Sequence, residues 1–287
     1  MRILLTGGTG YIGSAVLDRL VGAGHHIVAA VRNEEAAAAV AARGAHPAVG
    51  DLTDAAWLAA ALADVDAAVH TAAPADGAAE FNASVIDTVI ASFAGTGRRF
   101  VLTSGVWIYG SGTDIRDDDR PDPAELVAWK VPQEDRLLAS DVTATIVTPG
   151  VVYGHGHGVL GLITDGPRTV DGALTLIGDG EQHWTWVHAD DLARLYQLAV
   201  EHPEPLGRLI GSDGSPTTVR AIAESVAGPA GVVAESADAT RARFGDAFAE
   251  TLLLDARAFG EKARSLGWVP DHTSVLDEVR AVRAAAA

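Results

Sequence analysis

The residues whose spacing points most directly to chemistry are three glycines near the amino terminus. Gly7, Gly10 and Gly13 follow the apolar stretch 3–5 and precede the helix-like stretch 14–20. Glycine adopts the positive φ angles of a tight turn at little cost. The helix that begins after the turn directs free N–H groups and the positive end of its dipole at an anion such as a pyrophosphate. The pattern therefore predicts a dinucleotide-binding loop, in which Gly13 lets the helix pack close to the strand.

The end of the next apolar stretch, 27–31, indicates which dinucleotide binds. A carboxylate at this position holds the ribose 2′-hydroxyl of NAD, whereas an arginine accommodates the 2′-phosphate of NADP. The stretch ends in Arg32, whose planar guanidinium suits a phosphate. Glu34 and Glu35 come later, in the first turn of the following helix, where anions suit the dipole. We therefore expect NADP rather than NAD. The alternative is that Arg32 is an ordinary surface arginine.

A second candidate for chemistry is the loop 154–158, in which His155 and His157 alternate with glycines. A zinc site needs three or four ligands, and this loop supplies two. We therefore expect no metal here and interpret His155 as a substrate contact. The alternative is an ordinary polar loop.

The elements that must position these residues alternate between strand and helix up to about residue 150. The predicted strands are 3–5, 27–31, 47–49, 67–70, 99–102 and 143–147, and the predicted helices are 12–22, 34–43, 54–63, 78–94 and 123–139. Such alternation is typical of a parallel sheet covered by helices on both faces. Because parallel crossovers are right-handed, we predict an α/β, doubly wound parallel sheet of the Rossmann type.

Beyond Pro149 the alternation ends, although a helix at 189–201 and a strand at 208–210 return to the pattern. We expect a smaller, mainly C-terminal substrate lobe beside the dinucleotide-binding domain. The predicted domain is 1–150 with 187–212 returning to it, and the predicted lobe is 151–186 with 213–287. Ligands of such folds bind outside the carboxyl ends of the strands.

Composition excludes several classes of partner. The 287 residues carry a net charge of −17 and no cysteine. We therefore expect no nucleic-acid or anionic-membrane partner, and no disulfide or thiolate chemistry. No apolar run approaches the roughly 20 residues of a membrane span. These features favour a cytoplasmic protein that binds a small molecule.

Residues 6–13 resemble the glycine fingerprint of the extended short-chain dehydrogenases/reductases, the NAD-dependent epimerase/dehydratase family. Five further segments resemble motifs of that family in the correct order: 51–52, 70–73, 103–110, 148–154, and 177–180 with 187–193. Together with Arg32, the resemblance implies these cofactor-binding residues: Thr6, Gly7, Gly10, Tyr11, Ile12, Gly13, Asp51, Leu52, Thr71, Ala72, Ala73, Thr103, Lys130, Pro149 and Val151.

The catalytic half of the family pattern is altered. Reductases of this family use a Tyr-x-x-x-Lys pair, and Lys130 and Glu134 match the lysine and the acidic residue that follows it. Leu126 stands where the tyrosine is expected. The position of the catalytic serine falls on Gly105, with Ser104 one residue earlier and facing the other way unless a bulge re-aims it. The catalytic candidates are therefore Lys130 and Ser104. A desolvated lysine can act as an acid or base because its pKa falls, whereas a solvated Lys130 would merely pair with Glu134.

The resemblance also places aromatic residues near the substrate. Trp107, Trp129, Tyr153 and His155 are the predicted substrate contacts, and Trp184 stands where sugar-nucleotide enzymes often carry arginine. An apolar or aromatic substrate therefore fits better than a nucleotide sugar. Core packing is the alternative for each aromatic residue.

Three functions remain open from the sequence. The favoured prediction is an NADP(H)-dependent oxidoreductase acting on a small carbonyl, imine or enone. The alternatives are an epimerase or dehydratase with tightly bound NAD(P), and a non-catalytic NADP-binding sensor. Relatives form two-fold dimers through helices corresponding to 78–94 and 123–139, which implies a homodimer. Pro132 is expected to kink the second helix, so a monomer is the alternative.

Overall fold

The computed structural model describes residues 1–286. The strands are β1 (Arg2–Thr6), β2 (His26–Val31), β3 (His46–Val49), β4 (Ala67–His70), β5 (Arg99–Thr103), β6 (Gly112–Ile115), β7 (Thr143–Pro149), β8 (Val151–Tyr153), β9 (Leu174–Thr175), β10 (His183–Trp184), β11 (Trp186–His188), β12 (Gly207–Gly211), β13 (Thr217–Thr218), β14 (Val232–Val233) and β15 (Ala256–Ala258). The α-helices are α1 (Tyr11–Gly22), α2 (Glu34–Ala41), α3 (Ala55–Ala63), α4 (Ala78–Phe93), α5 (Lys130–Leu138), α6 (Gly161–Thr164), α7 (Ala189–Glu201), α8 (Val219–Ala227), α9 (Ala237–Phe244), α10 (Asp246–Leu252), α11 (Glu261–Ser265) and α12 (Val275–Ala286).

The central element is a seven-stranded sheet in the order β12-β7-β5-β4-β1-β2-β3. Each neighbouring pair from β3 to β7 is parallel. The strand order reverses at β1, which has β2 on one side and β4 on the other. The doubly wound prediction is confirmed, and the carboxyl ends of β1 and β4 define the point where such sheets bind ligands.

The strands read as apolar runs because the sheet is covered on both faces. Ile3, Leu4 and Leu5 of β1 are all fully buried. On one face, side chains of the sheet pack with α3, α4 and α5, and the cluster includes Leu4, Val28, Phe100, Ile146, Leu58, Val89 and Leu137.

The described chain divides into two compact units. The first unit comprises 1–104, 129–147 and 192–209, and the second comprises 105–128, 148–191 and 210–287. The sequence placed 105–128 with the dinucleotide-binding domain. In the structure this segment joins the second unit, because β6 within it pairs in parallel with β15.

The helix expected at 123–139 is shorter than predicted. A 3-10 helix spans Glu125–Val127, and α5 begins only at Lys130. Pro132 therefore lies in the first turn of α5, where the missing N–H group has no intrahelical acceptor to lose. The predicted kink is wrong for this reason.

The second unit has its own apolar core. Trp184 and Trp186 are fully buried there, and Trp184 Nε1 donates a hydrogen bond to the Leu252 carbonyl (3.0 Å). None of the described helices combines the length and the hydropathy needed to cross a membrane.

Candidate cofactor and catalytic site

The glycine loop between β1 and α1 leaves no space for side chains. Gly7 has φ +74°, and a Cβ there would lie 2.7 Å from both Thr71 Oγ1 and the Ala72 nitrogen. A Cβ on Gly13 would collide with the Gly7 carbonyl oxygen. Gly10 N donates to this same oxygen (2.9 Å). The loop is a cradle that only glycine can form, which fits the close approach of a pyrophosphate.

Helix α1 begins directly behind this cradle. Its N-cap residue is Gly10, no side chain among the described residues caps it, and its first turn contains no acidic residue. The positive end of the helix is therefore not neutralised by the protein's own carboxylates, as a phosphate-binding helix requires.

Hydrogen bonds between threonines and the backbone hold together the carboxyl ends of β1, β4 and β5. Thr71 Oγ1 donates to the Thr6 carbonyl oxygen (2.7 Å), and Thr103 Oγ1 donates to the His70 carbonyl oxygen (2.7 Å). Thr6 Oγ1 lies 2.7 Å from His70 Nδ1. The edge of the sheet that would face a dinucleotide is thus rigidly built.

His70 is a functional candidate that the sequence reasoning did not include among its site residues. It is buried, and its Nε2 has no hydrogen-bond partner among the described residues. The nearby Asn82 amide donates to the Ala78 carbonyl. Burial, followed by the positive charge of Lys130, lowers the pKa of His70 to about 4, although Asn82 acts in the opposite direction. The ring is therefore neutral at pH 7. A lone polar residue at the end of a buried strand was the available signal.

The adenosine side of the predicted site lies at the end of β2 and after β3. Arg32 is exposed two positions beyond Ala30, which is paired with Thr6, and it has no carboxylate partner among the described residues. Asn33 caps α2 by accepting a hydrogen bond from Ala36 N (2.9 Å). Asp51 accepts one from Thr53 N (2.9 Å), which lowers the pKa of its exposed carboxyl group.

Lys130 is the first residue of α5 and is half-buried. Its Nζ lies 4.5 Å from the centre of the Trp129 ring, and it forms no salt bridge with any described carboxylate. Burial lowers the pKa of Lys130, and the charge of Glu134 opposes this only in part. Burial thus makes the charged form of the amine less favourable, relative to the neutral form, than it is in water.

Glu134 does not pair with Lys130, which was the alternative considered from the sequence. Its buried carboxylate accepts a hydrogen bond from Ser104 Oγ (2.5 Å) and another from Arg208 Nε (3.0 Å). Arg208, in β12, was missed by sequence reasoning because it lies 74 residues from Glu134. Ser104 is therefore engaged with Glu134, and its catalytic role stays a prediction.

A narrow pocket surrounds Lys130 in the first unit. Its lining consists of Asn82, Ile86, Leu102, Thr103, Trp129, Lys130, Gln133 and Glu134. The Gln133 amide donates to the Ala79 carbonyl (2.8 Å), while its buried Oε1 has no partner in the part of the chain that the structure describes. Three of the lining side chains, Ile86, Leu102 and Trp129, are apolar and the other five are polar or charged. Such a narrow, mixed lining suits contact with the polar end of a small ligand.

The positions of the missing catalytic groups are also informative. Leu126, in the 3-10 helix, is 39% exposed. Gly105 has extended backbone, and a Cβ there would meet no atom within 4 Å. The absence of a side chain at residue 105 is therefore not imposed by packing.

The remaining predicted contacts lie in the second unit. Trp107 packs edge-on against Phe248, with ring centres 6.3 Å apart. Tyr153 is fully buried against Trp186, and burial strongly raises the pKa of its hydroxyl. We therefore assign Tyr153 to the core and not to substrate contact. Pro149 ends β7, and Val151 pairs with Trp186 across β8 and β11.

His155 lies beside residues that the sequence did not connect with it. Its Nε2 is 2.8 Å from Asp190 Oδ1, and its ring centre is 5.4 Å from that of His188. The loop histidine is thus part of a group of three potential ligands and not an isolated polar residue.

Comparison with known proteins identifies the family to which this chain belongs. A profile of the NAD dependent epimerase/dehydratase family matches residues 3–209. The chain therefore belongs to this family of nicotinamide-cofactor oxidoreductases.

Individual relatives are similar over most of the chain. An uncharacterized protein of Schizosaccharomyces pombe is 29% identical over 97% of this chain and 98% of its own length. The 2-alkyl-3-oxoalkanoate reductase of Stenotrophomonas maltophilia is 30% identical over 77% of this chain and 73% of its own. The structure of human epimerase family protein SDR39U1 with NADPH superposes with a TM-score of 0.76 at 21% identity, covering 97% of this chain and 99% of that one.

Proposed function

We propose that the protein is an NADPH-dependent reductase of a small apolar or aromatic ketone, imine or enone, in which Lys130 supplies the proton. The observation that carries the proposal is a half-buried lysine beside Trp129 in a narrow pocket, where the neighbouring carboxylate, Glu134, is engaged by Ser104 and Arg208. Two relatives are named as ketone reductases, from Stenotrophomonas maltophilia and Stigmatella aurantiaca, which supports reduction over epimerisation.

The cofactor choice rests on Arg32. The cradle of Gly7, Gly10 and Gly13 would hold the pyrophosphate, and the unpaired guanidinium of Arg32 would bind the 2′-phosphate of NADP in a bidentate manner. When bound, NADPH supplies the hydride.

Lys130 would handle the accompanying proton. In its ammonium form it donates a hydrogen bond to the carbonyl oxygen of the substrate and releases its proton to that oxygen as negative charge develops there. The lowered pKa favours this transfer, since an acid is most effective when its pKa lies near the working pH. A direct ion pair with Glu134 would have held the proton on the amine, and the Ser104 and Arg208 contacts prevent it.

The test is steady-state NADPH oxidation with a panel of aliphatic and aromatic ketones, imines and enones. Lys130 and Lys262 are the lysines of this chain, so Lys262→Met, at a half-buried lysine paired with the exposed Asp118, is a matched control for Lys130→Met. Loss of a general acid lowers kcat by about 10²- to 10⁴-fold. We expect that loss for Lys130→Met at saturating NADPH, and wild-type rates for Lys262→Met.

Three outcomes would refute the proposal. Equal kcat in the wild type and Lys130→Met would remove Lys130 from the chemistry. NADPH binding without turnover across the panel would favour a cofactor-binding sensor. Cofactor that stays with the protein until denaturation, together with isomerisation of a substrate, would indicate an epimerase.

A further inference from the structure

The second unit contains three metal-ligating side chains within reach of one ion. One imidazole nitrogen from each of His155 and His188 and one carboxylate oxygen of Asp190 all lie within 4.8 Å of one another. His155 Nε2 is 2.8 Å from Asp190 Oδ1, and His188 Nδ1 is 3.7 Å from Asp190 Oδ2. His188 and Asp190 are two residues apart in sequence, and the loop after β8 brings His155 to them.

The backbone conformation of loop 154–158 places it against the His188 ring. His155 has φ +56°, a conformation that no other described non-glycine residue adopts and that L-residues rarely adopt. Gly154 and Gly156 on either side also have positive φ. A Cβ on Gly154 would collide with the His188 ring, so glycine is required for the loop to lie this close.

A second layer of contacts fixes the buried member of the group. The His188 ring stacks on His272 with centres 3.7 Å apart, and His272 Nδ1 lies 3.1 Å from Asp191 Oδ2. Asp191 also accepts a hydrogen bond from the His272 backbone nitrogen (2.8 Å). Metal sites commonly hold their ligand rings in place with such outer contacts.

His188 ends β11, and Asp190 lies in the first turn of α7. Two of the three side chains are therefore held by regular secondary structure.

We propose that His155, His188 and Asp190 form a binding site for a divalent transition metal ion such as Zn²⁺, with a fourth position open to water. Two imidazoles and one carboxylate are typical of zinc sites of the open type, whereas Mg²⁺ and Ca²⁺ prefer oxygen ligands alone. Bonds of about 2.0–2.2 Å place tetrahedral ligands roughly 3.4 Å apart. The exposed side chains of His155 and Asp190 can close the remaining distance by rotation. His188 Nδ1, which accepts a hydrogen bond from Asp190 N (3.2 Å), would exchange that bond for the ion. The ion would fasten loop 154–158 to the start of α7, which departs from the metal-free expectation drawn from the loop alone.

The test uses the chelator-treated full-length protein, titrated with Co²⁺ and then with Zn²⁺. Tetrahedral Co²⁺ bound to nitrogen and oxygen should give visible absorption bands that one equivalent of Zn²⁺ abolishes. His155→Ala and Asp190→Asn alter exposed side chains and should retain the fold, which circular dichroism checks. Each should weaken Zn²⁺ binding by more than about tenfold, the lower end of what outer-contact changes alone cost.

The matched control is His183→Ala. His183 Nδ1 lies 3.0 Å from Asp255 Oδ1, a histidine–carboxylate pair that is not part of a three-ligand group among the described residues. This variant should bind Zn²⁺ like the wild type. The proposal is overturned if the wild type binds less than one equivalent, if His155→Ala and Asp190→Asn bind as the wild type does, or if His183→Ala loses affinity equally.

Discussion

His70 is buried in its neutral form, and this predicts how the free energy of unfolding depends on pH. Its pKa is about 4 in the folded protein against an ordinary value of 6.5. Between these values the unfolded chain binds a proton that the folded chain does not. Stability is therefore fully present above pH 6.5 and is lost as the pH falls towards 4.

The magnitude follows from that difference. The complete loss due to His70 is about 3 kcal/mol, and about 1.4 kcal/mol of it has occurred by about pH 5.5. This pH stays above the isoelectric point near 4.8, where the protein carries little net charge. Asp213 acts in the opposite direction, because burial raises its pKa to about 7. The effect of His70 must therefore be measured as a difference between variants.

The assay is urea unfolding followed by tryptophan fluorescence, for the wild type and His70→Asn, at about pH 7.5 and about pH 5.5. Asparagine can keep the hydrogen bond to Thr6 but does not titrate. The free energy of unfolding of the wild type should fall by about 1.4 kcal/mol more than that of the variant. His157→Asn, at an exposed histidine, should behave as the wild type does. If His70→Asn and the wild type lose equal stability between the two pH values, the reasoning about His70 fails.

Three other predictions concern the cofactor site and the second unit. Arg32→Ala should weaken NADPH binding by about 10- to 100-fold, since a charge-assisted hydrogen bond contributes about 1.5–3 kcal/mol. A fluorescence titration should show unchanged NADH binding. Equal loss of affinity for both cofactors would contradict the assignment of Arg32 to the 2′-phosphate. Gly13→Ala should abolish NADPH binding because the added Cβ meets the Gly7 carbonyl. Gly22→Ala, on the same helix with no neighbour within 4 Å, should bind NADPH normally and be up to about 1 kcal/mol more stable. Normal binding by Gly13→Ala would disprove the close packing. The free energy of unfolding of Asp213→Asn should rise by about 2 kcal/mol relative to that of the wild type between about pH 5.5 and about pH 8, because the buried carboxyl of the wild type resists ionisation there. Chemical unfolding at the two pH values measures this difference. A difference that does not change with pH would show that Asp213 ionises normally.

Features encoded over short stretches of chain were predictable. Apolar runs and helix-like spacing predicted the strands and helices of the central sheet, because parallel strands buried on both faces must be apolar. The glycine spacing predicted the cofactor loop, because positive φ and close packing are local demands on single residues. The start of α5 was predicted less well, since the chain before Lys130 forms a 3-10 helix within the other unit.

The sequence by itself predicted a nicotinamide-dinucleotide site at the end of β1, and it singled out Lys130 as the candidate left in the altered catalytic pattern. Only the tertiary structure decided how that lysine is surrounded. Arg208 comes from 74 residues away to hold Glu134, and His188 meets His155 through the pairing of β8 with β11. Such partners are set by which strands become neighbours in space, and no local spacing in the chain encodes that choice. The lowered pKa of Lys130 and the grouping of His155, His188 and Asp190 both follow from that choice.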